Sequence, residues 1–195
     1  MVDKELQLAE IAEKIKKCKL CFLSEGRISA VPGVGSFDAE IVFIGEGPGA
    51  REDKTGEPFV GASGKFLDEM LASVKLNRSD VFITNIVKCR PPKNRDPLPD
   101  EVAICTENYF WKQLDIIAPK IIITLGRHAM YRFLPADRKI SEDHGKLFQF
   151  KSPKTGRNFN ILPLYHPAAA LYNGSMRGVL LEDFKRVPKI LKKLK

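Results

Sequence analysis

Apolar positions along the chain follow two rhythms, one helical and one of short unbroken runs. Over residues 4–17, Leu6, Ile11 and Ile15 return on one side, which predicts an amphipathic helix. Ile41-Val42-Phe43-Ile44 is a continuous apolar run, the pattern of a strand buried on both faces. Ser63 is a good N-cap for a helix reaching about residue 74, with Phe66, Leu67, Met70 and Leu71 inward. Residues 81–87 predict a second strand. Pro99-Asp100-Glu101 opens a helix expected to reach about residue 117, with proline in the first turn and acids at the positive end of the dipole. Residues 121–125 predict a third buried strand, followed by a short helix over 127–133. Residues 147–150 and 159–164 read as strands around a turn at 153–156, and a last helix is expected over 179–194. Residues 27–38 and 88–97 read as loops, the second basic and rich in proline. Residues 51–61 read as a charged loop.

Strands alternating with helices imply an α/β fold, three layers deep, with a parallel or mostly parallel sheet between helices. The expectation is one domain over residues 1–195, since no low-complexity linker or repeat divides the chain. Such sheets bind ligands beyond the carboxyl ends of their strands. Residues 45–49, 88–95 and 166–170 occupy those places and are the chemically unusual stretches.

The net charge of +8 attracts polyanions, nucleic acid first among them. Part of it, Lys189, Lys192, Lys193 and Lys195, falls on the last helix and serves solubility equally well. No apolar run approaches the roughly 20 residues of a membrane helix, and the first five residues hold no signal core. A cytoplasmic protein without membrane contact is therefore expected. Abundant Ile, Lys and Glu hint at a heat-adapted source.

There are four cysteines. Cys18 and Cys21 form a Cys-x-x-Cys pair after the first helix, Cys89 ends the second strand region, and Cys105 lies in the following helix. In a cytoplasmic protein this set suits a metal centre better than disulfides. Spacing alone leaves zinc and a four-iron cluster about level, with unrelated buried cysteines as the plain alternative. Gly45-Glu46-Gly47-Pro48-Gly49-Ala50 superficially fits a dinucleotide turn. The charged loop expected after it argues against that, because a dinucleotide turn runs directly into a helix.

Taken in order, Cys18-x-x-Cys21, Gly45-Glu46-Gly47-Pro48-Gly49, Gly56-Glu57-Pro58-Phe59-Val60-Gly61, Thr84-Asn85-Ile86-Val87-Lys88-Cys89-Arg90-Pro91-Pro92, Cys105 and His166-Pro167-Ala168-Ala169-Ala170 give the chain a family likeness. It resembles the family 4 uracil-DNA glycosylases, thermostable enzymes that carry a four-iron, four-sulfur cluster. The resemblance covers nearly the whole chain. It implies a central four-stranded parallel sheet and base excision repair of deaminated cytosine, in which uracil is flipped out and its N-glycosidic bond hydrolysed to leave an abasic site. It also implies that no external cofactor or divalent metal is required.

The same resemblance assigns roles. Cys18, Cys21, Cys89 and Cys105 hold the 4Fe-4S cluster. Asn85 reads uracil O4 and N3–H, Phe59 stacks on the base, and His166 donates to O2 as the bond breaks. Glu46, Gly47 and Pro48 line the pocket. Some glycosylases carry an Asp in this turn. Here that carboxylate is displaced to Glu46, the expected catalytic one, or absent, since Gly47 offers none. With Glu52 and Asp53 as further candidates, the water-activating role stays unassigned. Lys88, Arg90, Lys93 and Arg95 are expected to grip phosphates, and Leu171 to fill the space the base leaves. His128 and His144 are read as structural. The partner is uracil-containing DNA, single- or double-stranded. A monomer is expected, and a sliding clamp is a candidate partner although the chain shows no clear clamp-binding motif. Two other classes compete: an iron–sulfur nucleic-acid-binding module with a vestigial pocket, and a nicotinamide or flavin oxidoreductase.

Overall fold

A computed structural model describes residues 3–194. Met1 and Val2, part of the stretch read for a signal core, and Lys195 lie outside the described residues. The chain begins with α1 (Lys4–Lys16), capped by the Asp3 side chain, which accepts from the Glu5 N–H at 3.0 Å. Its buried residues are Leu8, Ile11 and Ile15, at helical spacings of three and four. Leu6 is off that face and 59% exposed, which corrects the sequence expectation.

After α2 (Leu23–Gly26) come β1 (Val34–Gly35) and β2 (Ile41–Gly45), then α3 (Ala50–Thr55), α4 (Ala62–Ser73) and β3 (Phe82–Asn85). The expected helix from residue 99 is one helical stretch with a defect. It runs through α5 (Pro99–Cys105), a π-helical turn at Thr106–Phe110 and α6 (Trp111–Ile117). Then follow β4 (Ile121–Leu125), α7 (Arg127–Met130), α8 (Ile140–Asp143), β5 (Phe148–Lys151), β6 (Asn158–Leu164) and α9 (Ala169–Tyr172). The expected last helix is two, α10 (Met176–Lys185) and α11 (Val187–Lys193), divided at Arg186 just before Pro188.

The sheet order is β1-β3-β2-β4-β6-β5. The inner four strands are parallel, as expected, and two short antiparallel strands, β1 and β5, close the edges. Every residue of β2, β3 and β4 is buried, because helices cover both faces. Val42, Ile44 and Ile122 pack on the side of α1 and α6, around Trp111. Ile41, Phe43 and Ile123 pack on the side of α4 and α10, where Phe43 stacks on Phe184 at 5.5 Å. From β2 the chain moves to β3 on one side, while β4 lies on the other. The end of β2 is therefore the switch point where an open α/β sheet leaves a crevice.

Residues 51–61 are not simply a charged loop, because α3 starts directly after Gly49. Its acids are buried and used internally. Asp53 accepts from the Ile28 N–H at 2.9 Å, and Glu52 accepts from Val60 and Gly61 N–H, both at 2.9 Å. The N-cap of α4 is Gly61 rather than Ser63, which falls in the first turn. Trp111 is 1% exposed, stacked on Phe150 and edge-on to Phe110 and Phe133. Trp111→Ala is expected to cost about 3–5 kcal/mol, read as a drop in the urea midpoint at unchanged slope.

Candidate active site

The crevice at the switch point is a pocket of about 380 Å³, lined by the turn after β2, by Phe59, Asn85 and His166, and by the loop after β3. Register builds it. Gly45 and Asn85 are paired at the ends of β2 and β3, so the Asn85 side chain emerges beside the glycine turn. Gly45 has to be glycine, since a Cβ there would stand 2.4 Å from Asn85 Oδ1 and 2.8 Å from the Phe59 ring. Asn85 is 2% exposed, yet its amide has no hydrogen-bond partner among the described residues. The amide opens onto the cavity, so its donor and its acceptor are free to meet a ligand.

Phe59 is held in a left-handed conformation, φ 53°, uncommon for a bulky residue. The restraints surround it. Arg78 donates to the carbonyls of Pro58 and Phe59, and Glu52 takes the next two N–H groups. Gly64 of α4 packs so close that a Cβ would collide with the Phe59 carbonyl. The result is a fixed aromatic wall, its ring centroid 5.6 Å from that of His166 and nearly parallel to it.

His166 follows β6. Its Nδ1 accepts the Ala168 N–H at 3.1 Å, which leaves the proton of the neutral ring on Nε2. Burial draws its pKa down to about 4, opposed by the charge of Glu52. The ring is therefore a neutral donor across the physiological range.

Glu46 is half-buried and its carboxyl is raised above the usual range, chiefly by burial, against the lowering effect of His128. His128 Nδ1 lies 3.9 Å from Glu46, and its Nε2 lies 3.4 Å from Asp96 and accepts from Arg127 Nε at 3.1 Å. His128 thus stands beside Glu46 without lining the pocket itself, a neighbour that the sequence reading missed. Its one signal was its place just after Gly126 at a strand end. His144 keeps its structural reading: its Nδ1 is 2.5 Å from buried Asp183, away from the pocket. Asp53 is excluded from the pocket by its bonds to Ile28 and Ser29, whereas Glu52 lines it.

The basic loop divides into two groups. Arg90 and Lys93 line a neighbouring cleft beside Phe22 and share Pro91 with the pocket. Lys88 is 1% exposed and points inward, so it cannot grip a phosphate. Arg95 forms a forked pair with Glu101 at 2.7 and 2.8 Å and bonds the Asp96 carbonyl, which turns it to bracing the start of α5. Lys88 is a correction to the expected phosphate set, whereas Arg95, although paired with Glu101, lines the pocket. Leu171 on α9 is 52% exposed, and Tyr172 beside it is 91% exposed and lines the pocket mouth.

The four cysteines converge on one small cavity behind β3, walled by Ile15, Val87, Lys88 and Tyr109. Burial raises the thiols of Cys21, Cys89 and Cys105, the last to about 11. Arg27 donates to Cys89 Sγ at 2.9 Å and to the carbonyls of Lys16 and Cys18, both at 2.8 Å. Among the described residues, the one set of three metal-type donors within 4.8 Å of one another is Glu46, Asp96 and His128. The sulfurs therefore stand wider apart than a single zinc ion, bonding each at about 2.3 Å, would gather them. An all-sulfur donor set around one small cavity suits a metal centre.

Residues 32–195 match the sequence profile of the Uracil DNA glycosylase superfamily. The chain is 49% identical to a type-4 uracil-DNA glycosylase of Sulfurisphaera tokodaii, over 92% of this chain and 83% of that protein. It is 46% identical to one of Archaeoglobus fulgidus, over 92% and 91%, and 39% identical to one of Thermotoga maritima, over 99% of both chains. Independently of those likenesses, His166 is expected to titrate near pH 4, read from its imidazole ¹⁵N shifts. The lowered pKa means that unfolded chains take up the proton first as the pH falls below 6.5. Stability linked to this ring is then lost between about 6.5 and 4. A midpoint above 6 contradicts the neutral donor.

Proposed function

The chain belongs to the uracil DNA glycosylase superfamily, and on that premise we propose that it removes uracil from DNA by hydrolysing the N-glycosidic bond, in repair of deaminated cytosine. The observation that carries this is the Asn85 amide, free of protein partners and open to the pocket, set between the Phe59 wall and the neutral His166. Duplex stacking hides the glycosidic bond, so the nucleotide has to swing out into such a pocket.

In this reading, the Asn85 amide donates to uracil O4 and accepts from N3–H. Cytosine offers the reverse pattern and leaves both groups buried and unpaired. Phe59 gives the base a fixed stacking surface, with no ordering left to do. As the bond to the sugar stretches, negative charge gathers on the base, and the Nε2–H of His166 donates to O2. No proton transfer is needed, which suits a ring drawn down to about 4. Glu46 supplies the carboxylate that stabilises the cationic sugar and holds the attacking water. Pro48 and the glycines beside it keep this wall close to the base.

Cys18, Cys21, Cys89 and Cys105 would hold a 4Fe-4S cluster, which supplies a structural cross-link between the end of α1, the loop after β3 and α5. The sulfur-only donor set, its spacing and the Arg27 N–H donated to Cys89 support this. Arg90 and Lys93 take phosphates of the strand beside the flipped nucleotide. Leu171, with Tyr172 next to it, enters the space the base leaves. The described residues act as one domain and as a monomer, and a sliding clamp is a candidate recruiter. Among the described residues no helix is long and apolar enough to cross a membrane.

The test is strand scission by alkali after incubation with an oligonucleotide carrying one uracil. The parent protein is expected to cleave it. Asn85→Ala and His166→Ala are each expected to lose about 10²–10³-fold in rate. Gly45→Ala, whose new Cβ displaces Asn85 and Phe59, is expected to lose at least about tenfold while its far-ultraviolet dichroism stays that of the parent. An inert parent on U·G, U·A and single-stranded substrates contradicts the reading and favours a binding module.

A further inference from the structure

Lys88 is a buried ammonium ion whose surroundings are unusual. Its Nζ donates to Thr84 Oγ1 at 2.6 Å and to the Asn85 carbonyl at 2.8 Å, and it faces the Phe110 ring at 5.6 Å. Both polar contacts are acceptors, each taking one of its protons, and Thr84 donates its own hydroxyl proton to the Pro32 carbonyl at 3.0 Å; burial lowers the ammonium pKa to about 8. Buried cations are paired with anions. Among the described residues no carboxylate pairs with this one. It lines the small cavity shared by Cys18, Cys21, Cys89 and Cys105. The main chain of Lys88 is tied down as well: its carbonyl accepts the Val31 N–H at 2.7 Å.

We propose that Lys88 is a positioning residue that couples the sulfur site to base recognition. Its ammonium balances the negative charge of the thiolate-ligated cluster on one side. On the other it fixes the backbone of Asn85, the residue that reads uracil. The proposal rests on the cluster reading above. It goes beyond it by giving the cluster an electrostatic route to the pocket, in which the anion retains the cation and the cation holds the strand end. Thr84 and Asn85 are the last residues of β3, so a loosened Lys88 releases the strand exactly where the pocket begins.

The experiment compares holoprotein of the parent with Lys88→Met, which keeps an unbranched side chain and removes the charge, and with Lys88→Arg, which keeps the charge. Three quantities are read: iron per chain, the midpoint potential of the cluster, and the dissociation constant for free uracil. A neighbouring cation favours the more negative, reduced cluster, so Lys88→Met is expected to shift the midpoint to lower potential, and Lys88→Arg to stay near the parent. Free uracil is expected to bind Lys88→Met about tenfold more weakly, the effect of one lost charged hydrogen bond on the Asn85 carbonyl. Arginine is expected to restore much of it. A Met variant that loads no iron, beside an Arg variant that loads fully, supports the charge requirement by itself. Parent potential together with parent uracil affinity in Lys88→Met overturns the proposal while leaving the cluster reading intact. A parent protein without iron overturns the cluster reading, and the counter-ion role with it.

Discussion

The pairing of Gly45 with Asn85 is the constraint on which the rest of the site depends. It sets an amide side chain at the mouth of the crevice where the sheet reverses its winding, with no side chain opposite to fill the space. The pocket then needs a wall and a donor. Phe59 supplies the wall from a strained backbone held by Glu52 and Arg78. His166 supplies the donor from the end of β6, its tautomer fixed by Ala168. Each is locked by contacts already made within the protein, so geometry is present before a base arrives. Preorganised donors of this kind act on developing charge without reorganising in the reaction.

The same short stretch that ends in the pocket begins the sulfur site. Asn85 and Cys89 are four residues apart, and between them the chain turns with Ile86 and Val87 still bonded to the carbonyls of Gly45 and Glu46. Lys88 fills the interior of that turn. The base-reading residue and the cysteine site are therefore two ends of one tightly bonded segment. Arg27 braces the sulfur side as Arg78 braces the Phe59 side, each by donating to main-chain carbonyls that would otherwise be free to drift.

Apolar runs such as Ile41–Ile44 and Ile121–Leu125 announced the inner strands, because a strand buried on both faces has no polar positions to confuse the pattern. The motifs announced the pocket, since Asn85, Phe59 and His166 converge there. Charge misled in the other places. Glu52 and Asp53 looked like a solvated loop, but they are buried because they satisfy main-chain N–H groups of other segments. Lys88 looked like a phosphate ligand because its neighbours in sequence are basic, yet it faces inward. Arg95 is drawn to Glu101, a partner that the spacing of six residues did not advertise. His128 reaches Glu46 only through the adjacency of β2 and β4, a tertiary fact. The two-residue β1 is too short to leave a pattern.

The most direct test of the central claim is a crystal structure with DNA that carries a 2′-fluoro-deoxyuridine, which resists cleavage. The account predicts the uracil ring against Phe59, its O4 and N3 opposite the Asn85 amide, and its O2 within hydrogen-bond distance of His166 Nε2. A base bound elsewhere, or one in the pocket with O2 turned away from His166, would contradict it.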